Sequence, residues 1–237
     1  MISSRQNWAM KNEGYIRSFA GRQGRMTVGQ QEALIQYWSY YGIDASQQLV
    51  DFKSLFSHDA PVILEIGFGN GDALIHIAAA HPDWNFIGIE VYRAGIGTLF
   101  SRLQQQQLTN IKVFCGDAVK ILANNIAKES LSGVHLFFSD PWPKRRHHKR
   151  RLVQKDFCLL VADKLQKGGY FHLATDWQDY ANHMMAVISG LEIFENPNDQ
   201  YQFAVRPNYR PLTKFEKRGQ LLGHEVWDLI VKKRLDD

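Results

Sequence analysis

The sequence predicts an α/β domain with a doubly wound, mostly parallel sheet of seven strands, closed by an antiparallel strand pair. The first observation is five rounds of strand and helix from residue 60 onwards, a spacing typical of parallel sheets. The second is a glycine-rich turn directly after the first of these strands. The third is an acidic residue at the end of each of the first four strands. Because ligands of such sheets bind at the carboxyl ends of the strands, this edge is the predicted site.

The apolar strands of the five rounds are predicted at 61–66, 85–91, 111–115, 134–139 and 170–174. A helix follows each strand, at 72–80, 94–107, 118–128, 152–165 and 177–189. Lys167-Gly168-Gly169 is interpreted as the stop signal of the fourth helix. Three further strand candidates, at 191–195, 201–205 and 225–231, supply the closing pair, and a short helical region at 30–42 precedes the alternation.

The charge distribution divides the 237 residues into a basic, flexible N-terminal arm, residues 1–30, and a single domain, residues 31–237. The arm carries five cations against Glu13 alone, a surplus of four that equals the net charge of the whole chain. The remaining positive charge gathers at Lys144–Arg151. Two local excesses of this kind favour a phosphate backbone as partner.

The composition of the chain argues against a membrane protein, a secreted protein and a metal site. No apolar run approaches the roughly 20 residues that span a bilayer, and the N-terminus lacks the apolar segment of a secretory signal. Cys115 and Cys158 lie in apolar segments without metal-ligand spacing, so they are interpreted as reduced core residues. We therefore expect a cytoplasmic protein with no membrane association and no metal.

The most informative stretch is residues 134–151, VHLFFSDPWPKRRHHKRR. A buried strand ends at Asp140-Pro141, Trp142 follows, and eight basic side chains come next. A carboxylate, an aromatic ring and a block of positive charge fit a polyanion with a flat group to stack, and nucleic acid fits best. Trp142 has two interpretations, stacking on a base or packing within its proline-bracketed loop.

The glycine-rich turn has the spacing Gly67-x-Gly69-x-Gly71 and follows Glu65. The dinucleotide fingerprint is G-x-G-x-x-G, with a pyrophosphate at the helix N-terminus. Here the third glycine comes one residue early, and the Glu65 carboxylate opposes a pyrophosphate but can accept hydrogen bonds from a cationic aminoacyl group. The pattern favours S-adenosylmethionine over NAD, although a tight strand–helix turn alone needs the same glycines.

Three further acids stand at strand ends. Glu90 ends the second strand, where it can accept hydrogen bonds from both ribose hydroxyls of a nucleoside. Asp117 follows the third strand, where an adenine amino group would lie, but it can equally cap the next helix. Asp140 ends the fourth strand. Parallel strand ends converge at one edge of the sheet, so the acids are expected to form one site.

These motifs resemble the bacterial tRNA (guanine-N7-)-methyltransferases, a family in the Rossmann-like class of S-adenosylmethionine-dependent enzymes. The resemblance runs from about residue 17 to residue 231. Its most specific parts are Arg17-Ser18-Phe19-Ala20-Gly21-Arg22, Gly67–Gly71, Ser139-Asp140-Pro141-Trp142-Pro143-Lys144, Ala174-Thr175-Asp176-Trp177 and Thr213-Lys214-Phe215-Glu216.

The resemblance implies methylation of N7 of guanosine 46 in the tRNA variable loop, with S-adenosylmethionine converted to S-adenosylhomocysteine. It implies Asp140 as the catalytic residue. The implied cofactor contacts are Glu65, Gly67, Gly69, Gly71, Glu90, Asp117, Ala118 and Asp140. The implied substrate contacts are Lys144, Asp176, Thr213, Lys214, Phe215 and Glu216. RNA contacts are assigned to Arg22, Arg25, Arg145, Arg146, Lys149, Arg150 and Arg151.

The chemistry of the base agrees with this set of residues. Guanine N7 has an in-plane lone pair and no proton at neutral pH, so methyl transfer needs alignment and charge stabilisation instead of a general base. Asp140 is therefore interpreted as an orienting acceptor. The alternatives are a non-enzymatic RNA-binding protein with this fold and an NAD-dependent oxidoreductase. For the methyltransferase, tRNA is the expected partner, no obligatory protein partner is expected, and the chain is expected to be a monomer or weak homodimer.

Overall fold

A computed structural model describes residues 19, 25–46, 48–199, 201–212, 216 and 225–235. They form an eight-stranded sheet in the order β1-β4-β3-β2-β5-β6-β8-β7. The strands are β1 (Gly42–Ile43), β2 (Val62–Ile66), β3 (Asn85–Glu90), β4 (Ile111–Cys115), β5 (Leu131–Phe137), β6 (Leu165–Thr175), β7 (Phe194–Glu195) and β8 (Trp227–Lys233). All neighbours from β1 to β6 pair in parallel, and β8 pairs antiparallel with both β6 and β7.

Helices cover both faces of the sheet. They are α1 (Val28–Tyr41), α2 (Phe52–Leu55), α3 (Asp72–Ala80), α4 (Arg93–Gln106), α5 (Ala118–Asn125), α6 (Lys155–Lys164) and α7 (Gln178–Ser189). One apolar cluster joins α1, α3 and α4 to strand residues such as Ile63, and the other joins α5, α6 and α7 to residues such as Leu64. Adjacent strand residues thus enter opposite cores, which gives the central strands their continuous apolar pattern.

The direction of winding reverses at β2, which places the site. From β2 the chain moves to β3 and β4 on one side, and it then returns to β5 on the other side. The crevice beyond the carboxyl ends of β2 and β5 is therefore the switch point at which ligands of doubly wound sheets bind. The predicted fold class is confirmed.

Two details of the sheet differ from the predicted seven strands. Gly42–Ile43 forms an extra edge strand against β4. The candidate at 201–205 contributes only an isolated bridge between Ala204 and Asp228, so β7 and β8 form the closing pair. A two-residue strand has no alternating pattern that a sequence could display.

The predicted stop at Lys167-Gly168-Gly169 is wrong. Helix α6 ends at Lys164, and β6 begins at once with Leu165, which pairs with Leu131. The next paired position is Tyr170 with Gly133, so four residues of β6 oppose one residue of β5. Gly168 has φ 75°, the left-handed backbone that glycine adopts most readily. The glycines therefore serve a bulge inside the strand.

Helix α1 begins two residues before the predicted domain boundary at residue 30. Thr27 and Gln30 form a complete capping box, with each side chain accepting a bond from the other's backbone amide. Leu34 and Tyr41 bury α1 in the core shared with α3 and α4. Within the part of the chain that the structure describes, no helix is long and apolar enough to cross a membrane.

Candidate active site

The glycine-rich turn is a tight connection between β2 and α3. Gly67, Gly69 and Gly71 all have positive φ, at 73°, 58° and 79°. A Cβ on Gly67 or Gly69 would meet no described atom within 4 Å, whereas a Cβ on Gly71 would lie 2.6 Å from Leu99 Cδ1. Backbone conformation therefore requires the first two glycines, and the open space beside them admits a ligand.

Glu90 ties this turn to the end of β3. One carboxylate oxygen accepts bonds from the amides of Val91 (2.6 Å) and Tyr92 (2.9 Å), and the other accepts from Gly69 (2.7 Å). A carboxylate offers about four acceptor positions, so three are already used. Glu90 thus helps to build the turn, and its remaining capacity suits one additional donor instead of the pair of hydroxyl groups expected from the sequence.

Glu65 is the buried acid of the site. It lies at the penultimate position of β2 and is 3% exposed. Its Oε2 atom has no hydrogen-bond partner among the described residues. Burial, together with the nearby Glu90 carboxylate, raises the pKa of Glu65 to about 8. A buried carboxyl with an unused acceptor atom is poised to receive a cationic donor.

Asp117 has the structural role that the sequence left open. Its Oδ1 accepts a 2.9 Å bond from the amide of Val119 and caps α5, which begins at Ala118. Both residues are half-buried at the carboxyl end of β4. A contact with an adenine group stays a prediction.

Asp140 lies exposed on the loop that leaves β5. Phe138 and Trp142, two residues before and after it, have left-handed backbone with φ 55° and 46°. This conformation is costly for large side chains and is found most often where a loop must aim a functional group. The adjoining Ser139 donates its hydroxyl to Tyr180 Oη at 3.3 Å, which fastens the loop to α7.

The basic stretch forms a 3-10 helix, Arg145–Arg150, which we call the basic turn. Lys144, Arg145, Arg146 and Lys149 are exposed. The guanidinium of Arg150 instead lies 3.7 Å from the ring centroid of Trp142. Packing against a cation therefore occupies part of the Trp142 ring, in line with the packing alternative for that residue.

Arg151 differs from its predicted place on the RNA surface. Its side chain is 2% exposed, bonds Asp179 and donates at 2.9 Å to the carbonyl of Pro141. Burial and two acceptors make Arg151 a clamp between the Asp140 loop and α7. A run of eight basic letters could not separate this buried member from its exposed neighbours.

The remaining predicted contacts have mixed outcomes. Asp176 is exposed just after β6, the strand beside β5, and Arg25 is exposed just before α1. Arg22 and Thr213–Phe215 lie outside the described residues. Glu216 is described, but its side chain is only 1% exposed and forms an ion pair with Arg210.

Sequence reasoning missed the group around Arg210, which includes Asp228, His172 and Tyr209. Its available signal was Asp228, an acid directly before the apolar run Leu229-Ile230-Val231 of β8. Such an acid is buried only when it is paired, but its partner is 18 residues away and could not be identified from periodicity.

Two other kinds of site, a metal centre and a pocket at the opposite edge of the sheet, have little support among the described residues. Among the described residues no group of three His, Cys, Asp or Glu side chains could hold a metal ion. A cavity of about 480 Å³ opens at the opposite, amino-terminal edge of the sheet, beside residues such as Pro61 and Asn85. It is remote from the strand ends that carry the acids, so we do not assign the chemistry to it.

Solved structures with a similar fold are methyltransferases. A 16S rRNA methyltransferase, KamB, has a TM-score of 0.59 at 14% identity and covers 79% of this chain and 95% of its own. The antibiotic-resistance methyltransferase Kmr has a TM-score of 0.54 at 13% identity, covering 81% and 94%. The chain therefore has the fold of the Rossmann-like methyltransferases.

Sequence relatives narrow this class. A family model described as a putative methyltransferase matches residues 59–229. The tRNA (guanine-N(7)-)-methyltransferase of Yersinia enterocolitica is 52% identical over 219 residues, covering 92% of both chains. That of Pectobacterium atrosepticum is 51% identical over 218 residues, covering 92% of this chain and 91% of the relative. The chain belongs to the tRNA (guanine-N7-)-methyltransferase family.

Proposed function

We propose that this protein transfers a methyl group from S-adenosylmethionine to N7 of guanosine 46 in the variable loop of tRNA. The choice of base and of tRNA rests on the family. Two of its members are about 50% identical to this chain over 92% of its length. The guanosine position rests on the resemblance of the motifs. Because the substrate is tRNA, we propose that the enzyme acts in the cytoplasm, as a monomer or weak homodimer.

The observation that carries the choice of cofactor is the buried Glu65 carboxyl, with its unpartnered Oε2 atom beside the glycine turn. A cationic amino group would supply the missing donor and would favour the ionised form of Glu65. The Glu65 carboxylate, directly before the glycine turn, opposes a pyrophosphate, so it disfavours NAD. S-adenosylmethionine supplies an electrophilic methyl group on a positively charged sulfur. Glu65, Glu90 and Asp117 would hold it in the crevice beside Gly67 and Gly69.

The residues of this chain then have to align the base. N7 of guanine uses its own lone pair, so no side chain needs to remove a proton. Asp140 lies on a loop that Ser139 and Arg151 fasten to α7, and its carboxylate orients the substrate and offsets the positive charge that develops on the base. Lys144 and Asp176 stand at the same edge, where they are proposed to contact the nucleotide.

The RNA is proposed to lie over the basic turn. Arg145, Arg146 and Lys149 are exposed there, within ten residues of Asp140 along the chain. Exposed cations bind phosphates mainly through charge and release counterions, which fixes the orientation of the RNA without reading its sequence. RNA contacts are also proposed for Arg22 and Arg25 in the N-terminal arm.

Methyl transfer to unmodified tRNA tests the proposal. The purified protein is incubated with labelled S-adenosylmethionine and an unmodified tRNA transcript, and the nucleosides are analysed by mass. N7-methylguanosine is expected in the wild-type transcript and not in a matched transcript with adenosine at position 46. Methyl on another base would overturn the assigned substrate. Binding of both ligands without transfer would favour the non-enzymatic RNA-binding alternative.

A further inference from the structure

A buried ionic cluster lies beside the Asp140 loop. Arg210, 1% exposed, donates to both oxygens of Glu216 at 2.7 and 2.8 Å. It also donates to both oxygens of Asp228 at 2.6 and 2.8 Å. One guanidinium therefore makes two bidentate ion pairs, the geometry in which arginine binds carboxylates most strongly.

On the sheet side of the cluster, Asp228 is hydrogen-bonded to His172 as well as to Arg210. Asp228 Oδ1 also accepts a 2.7 Å bond from His172 Nε2, and the Tyr209 hydroxyl donates to His172 Nδ1 at 2.8 Å. Burial lowers the pKa of His172, so a neutral ring with one donor and one acceptor nitrogen suits both partners. For Asp228, burial opposes ionisation, but the bonds from His172 and Arg210 prevail and lower its pKa. Asp228 is thus an ionised anchor within β8.

This anchor stands next to the strand ends that form the site. Ala174 pairs with Phe137 on one side and with Asp228 on the other, so β5, β6 and β8 are in register there. Asp140 follows three residues after Phe137. The Arg210 guanidinium carbon is 5.6 Å from the ring centroid of Phe138, at the start of the Asp140 loop. The cluster therefore fixes Glu216 relative to that loop.

Glu216 is placed to anchor, not to bind substrate. Both of its oxygens face Arg210, and its side chain is 1% exposed. To reach a nucleotide it would have to leave a buried ion pair and strand the charge of Arg210 in the interior, which is strongly unfavourable. The place of Glu216 in the family motif is then explained by its ion pair with Arg210, which holds the chain at this point.

We propose that Arg210 is a positioning residue for the methyl transfer. It ties Glu216 to Asp228 of the sheet and lies beside Phe138 at the start of the Asp140 loop, so it fixes Glu216 relative to that loop. This proposal rests on the proposed function for its reaction. Glu216 then affects substrate binding indirectly, through its ion pair with Arg210.

A double-mutant cycle tests the proposal. We compare Arg210→Lys, Glu216→Gln and the double variant, because lysine keeps the charge but loses the two-pronged geometry, and glutamine keeps the shape but loses the charge. If Glu216 acts through Arg210, each single variant lowers kcat/KM for tRNA about tenfold and the double variant lowers it by about the same tenfold. S-adenosylmethionine binding should change less than about twofold in all three, since Glu65 and Glu90 are untouched.

Effects that multiply to about a hundredfold would show that Glu216 meets the substrate independently, and would overturn the proposal. Full activity of Arg210→Lys would also overturn it. Arg234→Lys, which changes an exposed arginine directly after the end of β8, is the matched control and should behave as wild type. If the wild-type protein itself forms no N7-methylguanosine in tRNA, the proposed function is refuted instead.

A second measurement needs no activity. Trypsin cleaves after Lys214, Lys217 and Arg218, which flank Glu216. Arg210→Lys and Glu216→Gln should speed cleavage at these positions several-fold at a temperature where near-ultraviolet circular dichroism shows the native fold. Equal cleavage rates in the folded variants and the wild type would show that Arg210 does not hold this segment, and would overturn the proposal even if methyl transfer proved not to be the reaction.

Discussion

Asp140 is oriented by its neighbours. Left-handed backbone at Phe138 and Trp142 costs on the order of 1–3 kcal/mol per residue and persists only where surrounding contacts compensate. The bonds from Ser139 to Tyr180 and from Arg151 to Pro141 supply such contacts. The loop is therefore preorganised, which is the condition under which a single carboxylate can act without moving first.

We expect Asp140→Ala to lower the rate of methyl transfer roughly a hundredfold, a typical loss for one preorganised electrostatic contact. Because Asp140 is exposed, its removal should leave the fold intact and tRNA affinity largely unchanged. Single-turnover methyl transfer and filter binding measure the two quantities. Asp83→Ala, an exposed acid on the turn between α3 and β3, is the control. Unchanged turnover in Asp140→Ala would refute its assigned role.

Glu65 makes the site sensitive to pH. Its pKa is raised from 4.5 to about 8 by burial and by Glu90. The folded protein therefore keeps this proton in the range where the unfolded chain has lost it. The stability contributed at Glu65 is largest below about pH 4.5 and falls as the pH rises to about 8. A cationic ligand reverses the preference by pairing with the ionised carboxylate.

Binding of S-adenosylmethionine near pH 7 should consequently release close to one proton from Glu65. Calorimetry in buffers of different ionisation enthalpy measures this release, and affinity should rise between about pH 6 and pH 8. Glu65→Gln should bind the ligand more weakly and lose this proton release. A wild-type protein that releases no proton would mean that Glu65 does not pair with the ligand.

The basic turn is the proposed contact surface for RNA. Replacing Arg145, Arg146 and Lys149 by glutamine should weaken tRNA binding and reduce the slope of log K against log salt by about 2–3, because each phosphate contact adds nearly one unit. Arg150 and Arg151 are left unchanged because they pack against Trp142 and α7. Electrophoretic mobility shifts over a series of salt concentrations give the slope.

A matched control removes the same charge elsewhere. Lys155, Lys167 and Lys232 are exposed on α6, in the β6 bulge and on β8. Their replacement by glutamine should change the salt slope by less than about one unit if the turn is the contact surface. Equal slopes for the two triple variants would place the RNA elsewhere.

Elements with a local signature were predictable from the sequence. Val62–Ile66 is a continuous apolar run, Gly67, Gly69 and Gly71 mark the turn after it, and Asp117 precedes a helical pattern, so each was correctly placed. The bulge in β6 was mistaken for a helix end because Gly168 suits either conformation. Only the pairing with β5 distinguishes the two, and pairing is not a local property.

The site follows the same division. Glu65, Glu90 and Asp140 could be placed at or after the ends of their strands because these positions can be counted along the chain. The burial of Arg151 and the pairing of Arg210 with Glu216 and Asp228 depend on how separate elements pack. Long-range ion pairs leave no periodic trace. Arg151 and Glu216 were therefore predicted to contact RNA and substrate, and the ion pairs of Arg210 were not predicted.

At the scale of the whole molecule, the arm and the domain meet near the basic turn. Arg150, which packs on Trp142, donates a 3.3 Å bond to the carbonyl of Phe19. Helix α1 is capped by the side chains of Thr27 and Gln30, which form a capping box at its first turn. A deletion that stops before Thr27 therefore removes the charge of the arm and keeps the cap of α1.

Deleting residues 1–24 should separate the effect of the arm on tRNA binding from its effect on the stability of the domain. The capping box of α1 remains, so the melting temperature should stay within about 4 °C, the shift expected for roughly 1 kcal/mol in a chain of this size. Arg5, Lys11, Arg17 and Arg22 are lost, so tRNA affinity should fall at least about tenfold and the salt slope by about 2–4 units. Mobility shifts and thermal melts measure both effects.

A full-length variant with these four cations changed to glutamine distinguishes charge from chain length. If the arm acts through phosphate contacts, this variant should reproduce the slope of the deletion while keeping every backbone atom. If only the deletion weakens binding, the arm acts through its backbone, as in the bond from Arg150 to Phe19. An unchanged slope in both variants would assign the RNA surface to the domain alone, because the surplus charge of the arm would then meet no phosphate.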